Sequence, residues 1–86
     1  MNPWGKKSKL SKLEVAQILQ DFLDGTGQPY AWDDFTLGTS FEDSYLDRIR
    51  VRCLGLSEEF PPTEPRHYCG EQGFEVIRAY IRELKS

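Results

Sequence analysis

The chain has 86 residues, of which 38% are hydrophobic and 29% charged, and its formal net charge is −3. A chain of this length buries about 60% of the surface that it exposes when unfolded, so a single small core is expected. The composition excludes a disordered chain. The two cysteines are too few for a disulfide scaffold, and no apolar run reaches the roughly 20 residues of a membrane span.

Residues 1–9 contain three lysines and little that a core could bury, and they predict a flexible basic arm before a single helical domain at 10–86. Trp4 is expected to fold back onto that domain. Because no apolar region follows the basic residues, the segment differs from a secretory signal. A cytoplasmic location is therefore predicted, and in that reducing compartment Cys53 and Cys69 are expected to keep free thiols.

The first helix is predicted over 12–24. Ser11 and Glu14 have the spacing of a capping box, in which each side chain bonds the other residue's backbone N–H. Gly25 occupies the position where a left-handed residue commonly ends a helix. The apolar residues between these signals recur at the spacing of one helical face, at Val15, Ile18, Leu19 and Phe22.

Residues 25–40 hold three glycines, one proline and several aromatic residues. Turn chemistry at both ends leaves room for a short extra helical turn near 30–37. Trp32, Phe35 and Leu37 are expected to fill the space between the longer helices.

The segment 41–54 fits two interpretations. Residues 48–53 alternate charged and apolar side chains, as a half-buried strand does. The helical interpretation has a second capping-box spacing at Thr39 and Glu42, and its acidic residues precede its basic ones, which suits the helix dipole. A helix that ends at Gly55 is predicted, because no second segment alternates to give a strand its partner. Its apolar face consists of Phe41, Tyr45, Ile49 and Cys53, widened by Leu46 and Leu54.

Three prolines within 57–70 exclude a long helix there and predict an extended segment along the surface. A third long helix is predicted over 71–84, with an apolar face of Phe74, Ile77, Ile81 and Leu84. The predicted architecture is therefore all-α, with three main helices near 12–24, 41–54 and 71–84.

Charge is distributed unevenly along the chain. Between Lys12 and Arg48 there is no lysine or arginine, but there are eight carboxylates. One interpretation is a solvated acidic face. The other is a docking surface for a protein partner with a basic surface, because complementary charge orients encounters and aromatic rings supply binding energy. The predicted contact residues are Asp21, Asp24, Tyr30, Trp32, Asp33 and Asp34.

His67 and Cys69 are the residues that most resemble a catalytic pair, yet no carboxylate or amide beside them would orient the histidine. Cys69 and Cys53 are interpreted as small buried hydrophobic residues and His67 as a loop residue. Together they offer three potential zinc ligands without the spacing of a zinc site. No enzyme activity, metal or cofactor is therefore predicted.

Nucleic-acid binding is an alternative that would use the basic arm and the arginines of the second and third long helices. It is not favoured, because binding to phosphates requires a basic face and the chain is acidic overall. The arginines concerned are Arg48, Arg52, Arg78 and Arg82.

The tetrad WDDF at 32–35 and the run PPTEPRHYCGEQGFEVIRAYIREL at 61–84 resemble a family of small bacterial proteins. The resemblance covers about residues 18–84. That family has no assigned biochemistry, so the resemblance implies no functional residue. A fainter similarity, to small helical immunity proteins that neutralise basic nuclease toxins, rests on Phe22, Leu23, Gly25, Phe35, Gly73 and Phe74.

The sequence therefore predicts a non-catalytic protein-interaction module with an acidic docking surface. An immunity-like inhibitor of a basic toxin or nuclease is the second hypothesis, and a nucleic-acid-binding protein is the third. The oligomeric state stays open, because the Pro-rich segment and the second long helix could cover the core of their own chain or of a second copy.

Overall fold

The computed structural model describes residues 10–26, 31–38, 40–64 and 67–86. These residues form α1 (Lys12–Asp24), α2 (Ala31–Leu37), α3 (Ser44–Leu54), α4 (Leu56–Glu59) and α5 (Glu71–Lys85). No strand occurs among them, so the predicted all-α fold is confirmed. The predicted arm at 1–9, with Trp4, lies outside the described residues.

α1 begins and ends where its local signals predict. Ser11 Oγ accepts a hydrogen bond from the Glu14 backbone N–H at 3.2 Å, and Glu14 Oε1 accepts one from the Ser11 N–H at 2.9 Å. Both halves of the capping box are therefore present. Gly25 ends the helix with φ of 70°, in the left-handed region that suits glycine.

α2 is the predicted short helix, and it buries one face. Trp32, Phe35 and Thr36 are all buried, since positions i, i+3 and i+4 lie on the same side of a helix. The Thr36 hydroxyl donates to the Trp32 carbonyl at 3.0 Å, which satisfies a buried polar group. The expectation for Leu37 is wrong: its side chain is 68% exposed, because one residue further is about 100° around the helix.

α3 is helical, as predicted, but it begins three residues later than predicted. Its N-cap is Asp43, whose Oδ1 accepts hydrogen bonds from the backbone N–H groups of Tyr45 at 2.8 Å and Leu46 at 3.3 Å. The predicted start at a capping box formed by Thr39 and Glu42 is therefore wrong, because the chain uses the closer aspartate as its cap. Thr39 itself lies outside the described residues.

Hydrogen bonds of the Asp47 and Arg50 side chains link the end of α2 to the start of α3. The Phe41 N–H donates to Asp47 Oδ1 at 2.9 Å, which holds Phe41 ahead of the helix while its ring is buried. Arg50 bonds the same oxygen through Nε at 2.9 Å and the Thr36 carbonyl at the end of α2 through Nη1 at 3.0 Å. A guanidinium at a helix C-terminus is favourable because it satisfies a terminal carbonyl and complements the helix dipole.

α4 corrects the prediction that 57–70 is extended, which is wrong for residues 57–59. Gly55 links the two helices: its carbonyl accepts hydrogen bonds from the N–H groups of Glu58 and Glu59 at 3.2 and 3.0 Å. The first proline of the segment is Pro61, and Leu56 is fully buried, so one helical turn forms before the prolines. For the rest of the segment, the extended conformation stays a prediction.

The two ends of the loop after α4 are hydrogen-bonded to each other, and a tyrosine of the loop is hydrogen-bonded to α3. The Gly70 N–H donates to the Phe60 carbonyl at 2.7 Å, so the two ends of the loop meet. The Tyr68 hydroxyl lies 2.9 Å from the Cys53 carbonyl and 3.0 Å from the Leu54 carbonyl, in the last turn of α3. This contact satisfies carbonyls that a helix end leaves without partners.

α5 confirms the third predicted helix and lies antiparallel to α1 and α3. Phe22, near the end of α1, lies 6.5 Å from Phe74, near the start of α5, measured between ring centroids. At the other end of α5, Glu83 accepts a hydrogen bond from the hydroxyl of Tyr45, in the first turn of α3, at 2.9 Å. The buried apolar residues are Val15, Ala16, Leu19, Trp32, Phe35, Phe41, Leu46, Ile49, Cys53, Leu56, Cys69, Ile77, Ile81 and Leu84.

Candidate functional site

Asp21 and Asp24 lie on the outer face of α1, on the side opposite its buried residues. Asp21 Oδ1 accepts a hydrogen bond from Gln17 Nε2 at 2.8 Å, and Asp24 Oδ1 accepts one from Gln20 Nε2 at 3.0 Å. Amide donors orient a carboxylate without neutralising it. Both carboxylates therefore present negative charge to solvent.

Asp33 and Asp34 are exposed in the first turn of α2. Among the described residues, the four carboxylates Asp21, Asp24, Asp33 and Asp34 form no ion pair. We use the name acidic surface for these four carboxylates, two on α1 and two on α2. Arg50, Arg52 and Arg78 pair instead with other carboxylates, namely Asp47, Glu59, Glu71 and Glu75.

Trp32 fills the space between helices, as expected, and its burial contradicts its other prediction, as an aromatic contact for a partner. Trp32 is 8% exposed, and its ring stacks on Phe22 with 3.7 Å between centroids and 15° between planes. Phe35 and Tyr68 surround it at 6.1 and 5.5 Å. A ring of this size can bury more area than any other side chain of the short α2, so it packs into the core. The other predicted anchor, Tyr30, lies outside the described residues.

A groove lies between the end of α1 and the start of α5, with a volume of about 540 Å³. Its lining combines the aromatic rings of Phe22, Tyr68 and Phe74 with three charged side chains, those of Asp24, Glu71 and Arg78. A second, smaller cavity of about 330 Å³ adjoins it and shares Leu23, Asp24 and Arg78 with it. The residues that line the larger cavity are Phe22, Leu23, Asp24, Gly25, His67, Tyr68, Glu71, Phe74 and Arg78.

The aromatic walls of the groove are packed against each other and against the core. Phe22 meets Tyr68 edge to face at 5.7 Å, and His67 meets Phe74 in the same way at 5.8 Å. The Tyr68 hydroxyl is committed to carbonyls of α3, and burial raises its pKa. These contacts hold the rings in one arrangement, so the groove is preformed.

The charges at the groove differ in how far they are compensated. Arg78 lies 2.9 Å from Glu71 and also contacts Glu75, and the hydrogen bond that it donates to Glu71 raises the pKa of Arg78. Its positive charge is therefore already balanced. Asp24, by contrast, has no ion pair among the described residues. The charged group of the groove that lacks an ion-pair partner is therefore a carboxylate, which would attract a cation.

His67 and Cys69 do not form a catalytic pair in this arrangement. His67 is exposed and lies against Phe74, whereas Cys69 is fully buried beside Gly73. Cys53 is also fully buried, so the interpretation of both cysteines as small core residues is confirmed. Burial raises the pKa of Cys53 to about 12 and also raises that of Cys69. A protonated, covered thiol is a poor nucleophile.

Both thiols are expected to resist alkylation in the folded chain. At about pH 8.5 an unfolded cysteine is roughly half ionised, whereas a thiol with a pKa near 12 has a thiolate fraction roughly a thousandfold lower. Because the unfolded chain releases this proton first, the free energy of unfolding should fall as the pH rises from about 8.5 towards 12. Mass spectrometry after iodoacetamide treatment, with and without concentrated guanidinium chloride, measures the protection. Equal labelling rates in the two conditions would contradict it.

Two of the four arginines of the nucleic-acid hypothesis are ion-paired, and the other two are exposed. Arg52 lies 3.0 Å from Glu59, and Arg78 is paired as described, while Arg48 and Arg82 are exposed.

None of the described helices combines the length and the apolar character that a membrane span requires. Among the same residues, histidine, cysteine and carboxylate side chains do not come together in a group that could hold a metal ion.

The groove was not predicted from the sequence. Phe74 was assigned to the apolar face of the third helix, Arg78 was named only for the nucleic-acid alternative, and Glu71 had no predicted role in binding a partner. The available signal was weak: it consisted of Phe22 near the end of the first predicted helix and Phe74 near the start of the third long one. It becomes a site only if these two helices pack antiparallel, which no local pattern states.

Comparison with protein-family models, with curated proteins and with solved structures finds no match to this chain. The resemblance of the WDDF tetrad and the later Pro-rich run to a bacterial family therefore stays a prediction. The same holds for the similarity to immunity proteins. Functional inference rests on the acidic surface and the groove.

Proposed function

We propose that this chain is a non-catalytic protein-interaction module that docks a partner with a basic surface through the acidic surface. The observation that carries the proposal is the pairing of charges within the fold. Arginines of α3 and α5 pair with carboxylates elsewhere, while the four members of the acidic surface form no ion pair among the described residues. A partner's basic groups would find these carboxylates available.

Such a surface acts mainly on the rate and orientation of association. Charges that are exposed and uncompensated attract an oppositely charged partner over about 10 Å at moderate salt, and the attraction weakens as salt rises. Binding energy then comes from apolar contacts near the charges. Leu13 supplies one on the same outer face of α1, because it is 65% exposed and lies eleven residues, or about three helical turns, before Asp24.

The test compares two variants that change the net charge equally. In one, Asp24, Asp33 and Asp34 become asparagine. Asp21 stays, because it is half-buried and bonded to Gln17. In the other, three exposed glutamates outside the acidic surface become glutamine. These are Glu42, Glu58 and Glu64.

Each chain is immobilised and used to capture proteins from the native cell lysate, with quantification by mass spectrometry. The proposal expects a basic partner that the wild-type chain and the glutamate variant retain and the aspartate variant loses. Capture of that partner should also fall as salt is raised. Equal loss with both variants would mean a nonspecific charge effect, and equal retention would mean that the acidic surface is only solvated. Either result contradicts the proposal.

An immunity-like inhibitor is a specific form of the same proposal, because a basic toxin would present the surface required. The identity of the captured partner decides whether that form applies.

A further inference from the structure

We propose that the groove between α1 and α5 binds an arginine side chain from a basic segment of the partner. This inference rests on the proposed function and names the contact that would give it specificity. It depends on three features of the groove: its aromatic walls, the carboxylate at its edge and the compensated state of its own arginine.

The walls suit a long side chain with an apolar stem and a planar head. Phe22 and Phe74 are partly buried rings that line the groove, and Leu23 lies beside them. The volume of about 540 Å³ lies within the range of pockets that hold organic ligands. An arginine can pack its methylene groups on such walls and place its guanidinium over a ring face, which adds a cation–π contact.

The charges select a cation over an anion. The charged residues that line the groove are Asp24, Glu71 and Arg78, and Asp24 has no ion pair among the described residues. Arg82 lines only the adjoining smaller cavity. An anion would have to compete with Glu71 and Glu75 for Arg78, which already contacts both. A cation at Asp24 gains a partner and displaces none.

Arginine fits this position better than lysine. The carboxylate of Asp24 accepts one hydrogen bond, from Gln20, and so retains acceptor sites. A guanidinium can bond two of them while its flat face stacks on an aromatic ring, and an ammonium cannot do both. The expected partner segment therefore exposes an arginine among other basic residues.

The direct test is an NMR titration of the full chain with N-acetyl-arginine methylamide. We expect chemical-shift changes at the backbone amides of residues 22–26 and 67–74, which surround the groove. The citrulline derivative has nearly the same shape without the charge and should cause much smaller changes. The lysine derivative tests the preference for a planar head and should bind more weakly.

Two single substitutions test which carboxylate contributes to binding of the arginine probe. Asp24→Asn should weaken binding of the arginine probe about two- to fivefold, the change that corresponds to an exposed ion pair. Asp33→Asn removes a charge of the same kind outside the groove and should leave the affinity unchanged. Shifts centred on α2, or equal weakening by both substitutions, would overturn the assignment to the groove.

Other occupants give different results. If the chain's own basic arm filled the groove, replacing Lys6, Lys7 and Lys9 with glutamine would free it, and the probe would bind more tightly. If a second copy filled it, the groove signals would change with protein concentration before any probe is added. Either result would overturn the assignment to a partner.

Failure of this inference can be told apart from failure of the proposed function. A partner that is captured through the acidic surface, together with an arginine probe that leaves the groove unchanged, would remove the inference alone. A probe that binds the groove, together with a partner indifferent to loss of the acidic surface, would remove the proposed function alone.

Discussion

Replacing Trp32 with alanine is expected to lower the free energy of unfolding by about 3–5 kcal/mol. The ring stacks on Phe22 at 3.7 Å and is 8% exposed, so its removal leaves a cavity between α1 and α2. Domains of this size are stable by about 5–15 kcal/mol in total, so the variant should be close to unfolding. Urea denaturation followed by far-UV circular dichroism measures the change without relying on the fluorescence of the lost ring.

Asp33→Ala serves as the control, because it removes the next side chain on the same short helix. Asp33 is exposed, and its substitution should change stability by no more than about 0.5 kcal/mol. If Trp32→Ala retained normal stability but lost a partner, Trp32 would be the docking anchor first inferred from the sequence, and its position in the core would be contradicted. The two outcomes therefore separate a core residue from a binding residue.

Trp32 also illustrates what a sequence can and cannot predict. Its place on a short helical turn was predicted from turn chemistry on both sides. Whether its ring faced the core or a partner depended on Phe22, ten residues away, and on Tyr68, which lies far along the chain. Those contacts exist only after α1, α2 and the loop before α5 have come together.

The helix ends that neighbouring residues determine were predicted, and those that more distant residues determine were not. α1 was predicted at both ends because its cap residues lie within four positions of the residues that they bond. The start of α3 was not, because Phe41 is held outside the helix by Asp47, six residues later, and Asp43 supplies a closer cap. α4 was missed because the prolines that follow it dominated the interpretation of the whole segment.

The charge pattern is the part of the candidate site that can be read from the sequence alone. Asp21, Asp24, Asp33 and Asp34 are identifiable without a fold, and ion pairing in the structure leaves them uncompensated among the described residues. The groove beside Asp24 required the packing of α1 on α5. Composition thus located the charges, and tertiary structure supplied the cavity next to one of them.

Leu19 and Leu13 offer a matched pair on one helix for testing that packing. Leu19 is fully buried, and its replacement by alanine is expected to cost about 2–5 kcal/mol, from lost burial and from the cavity left behind. Leu13 is 65% exposed on the opposite face, and the same substitution there should change stability by no more than about 0.5 kcal/mol. The side chain, the substitution and the helix are the same, so only burial differs.

Urea denaturation of the two variants measures the difference, and binding to the captured partner adds a second measurement. If Leu13 contributes to docking, Leu13→Ala should weaken the partner's binding while stability is kept, and Leu19→Ala should lower stability without a direct effect on the partner. Equal destabilisation by both would contradict the burial of one face of α1. Because Asp21 and Asp24 lie on the outward face of α1, this result would also remove the geometric basis for docking through these two carboxylates.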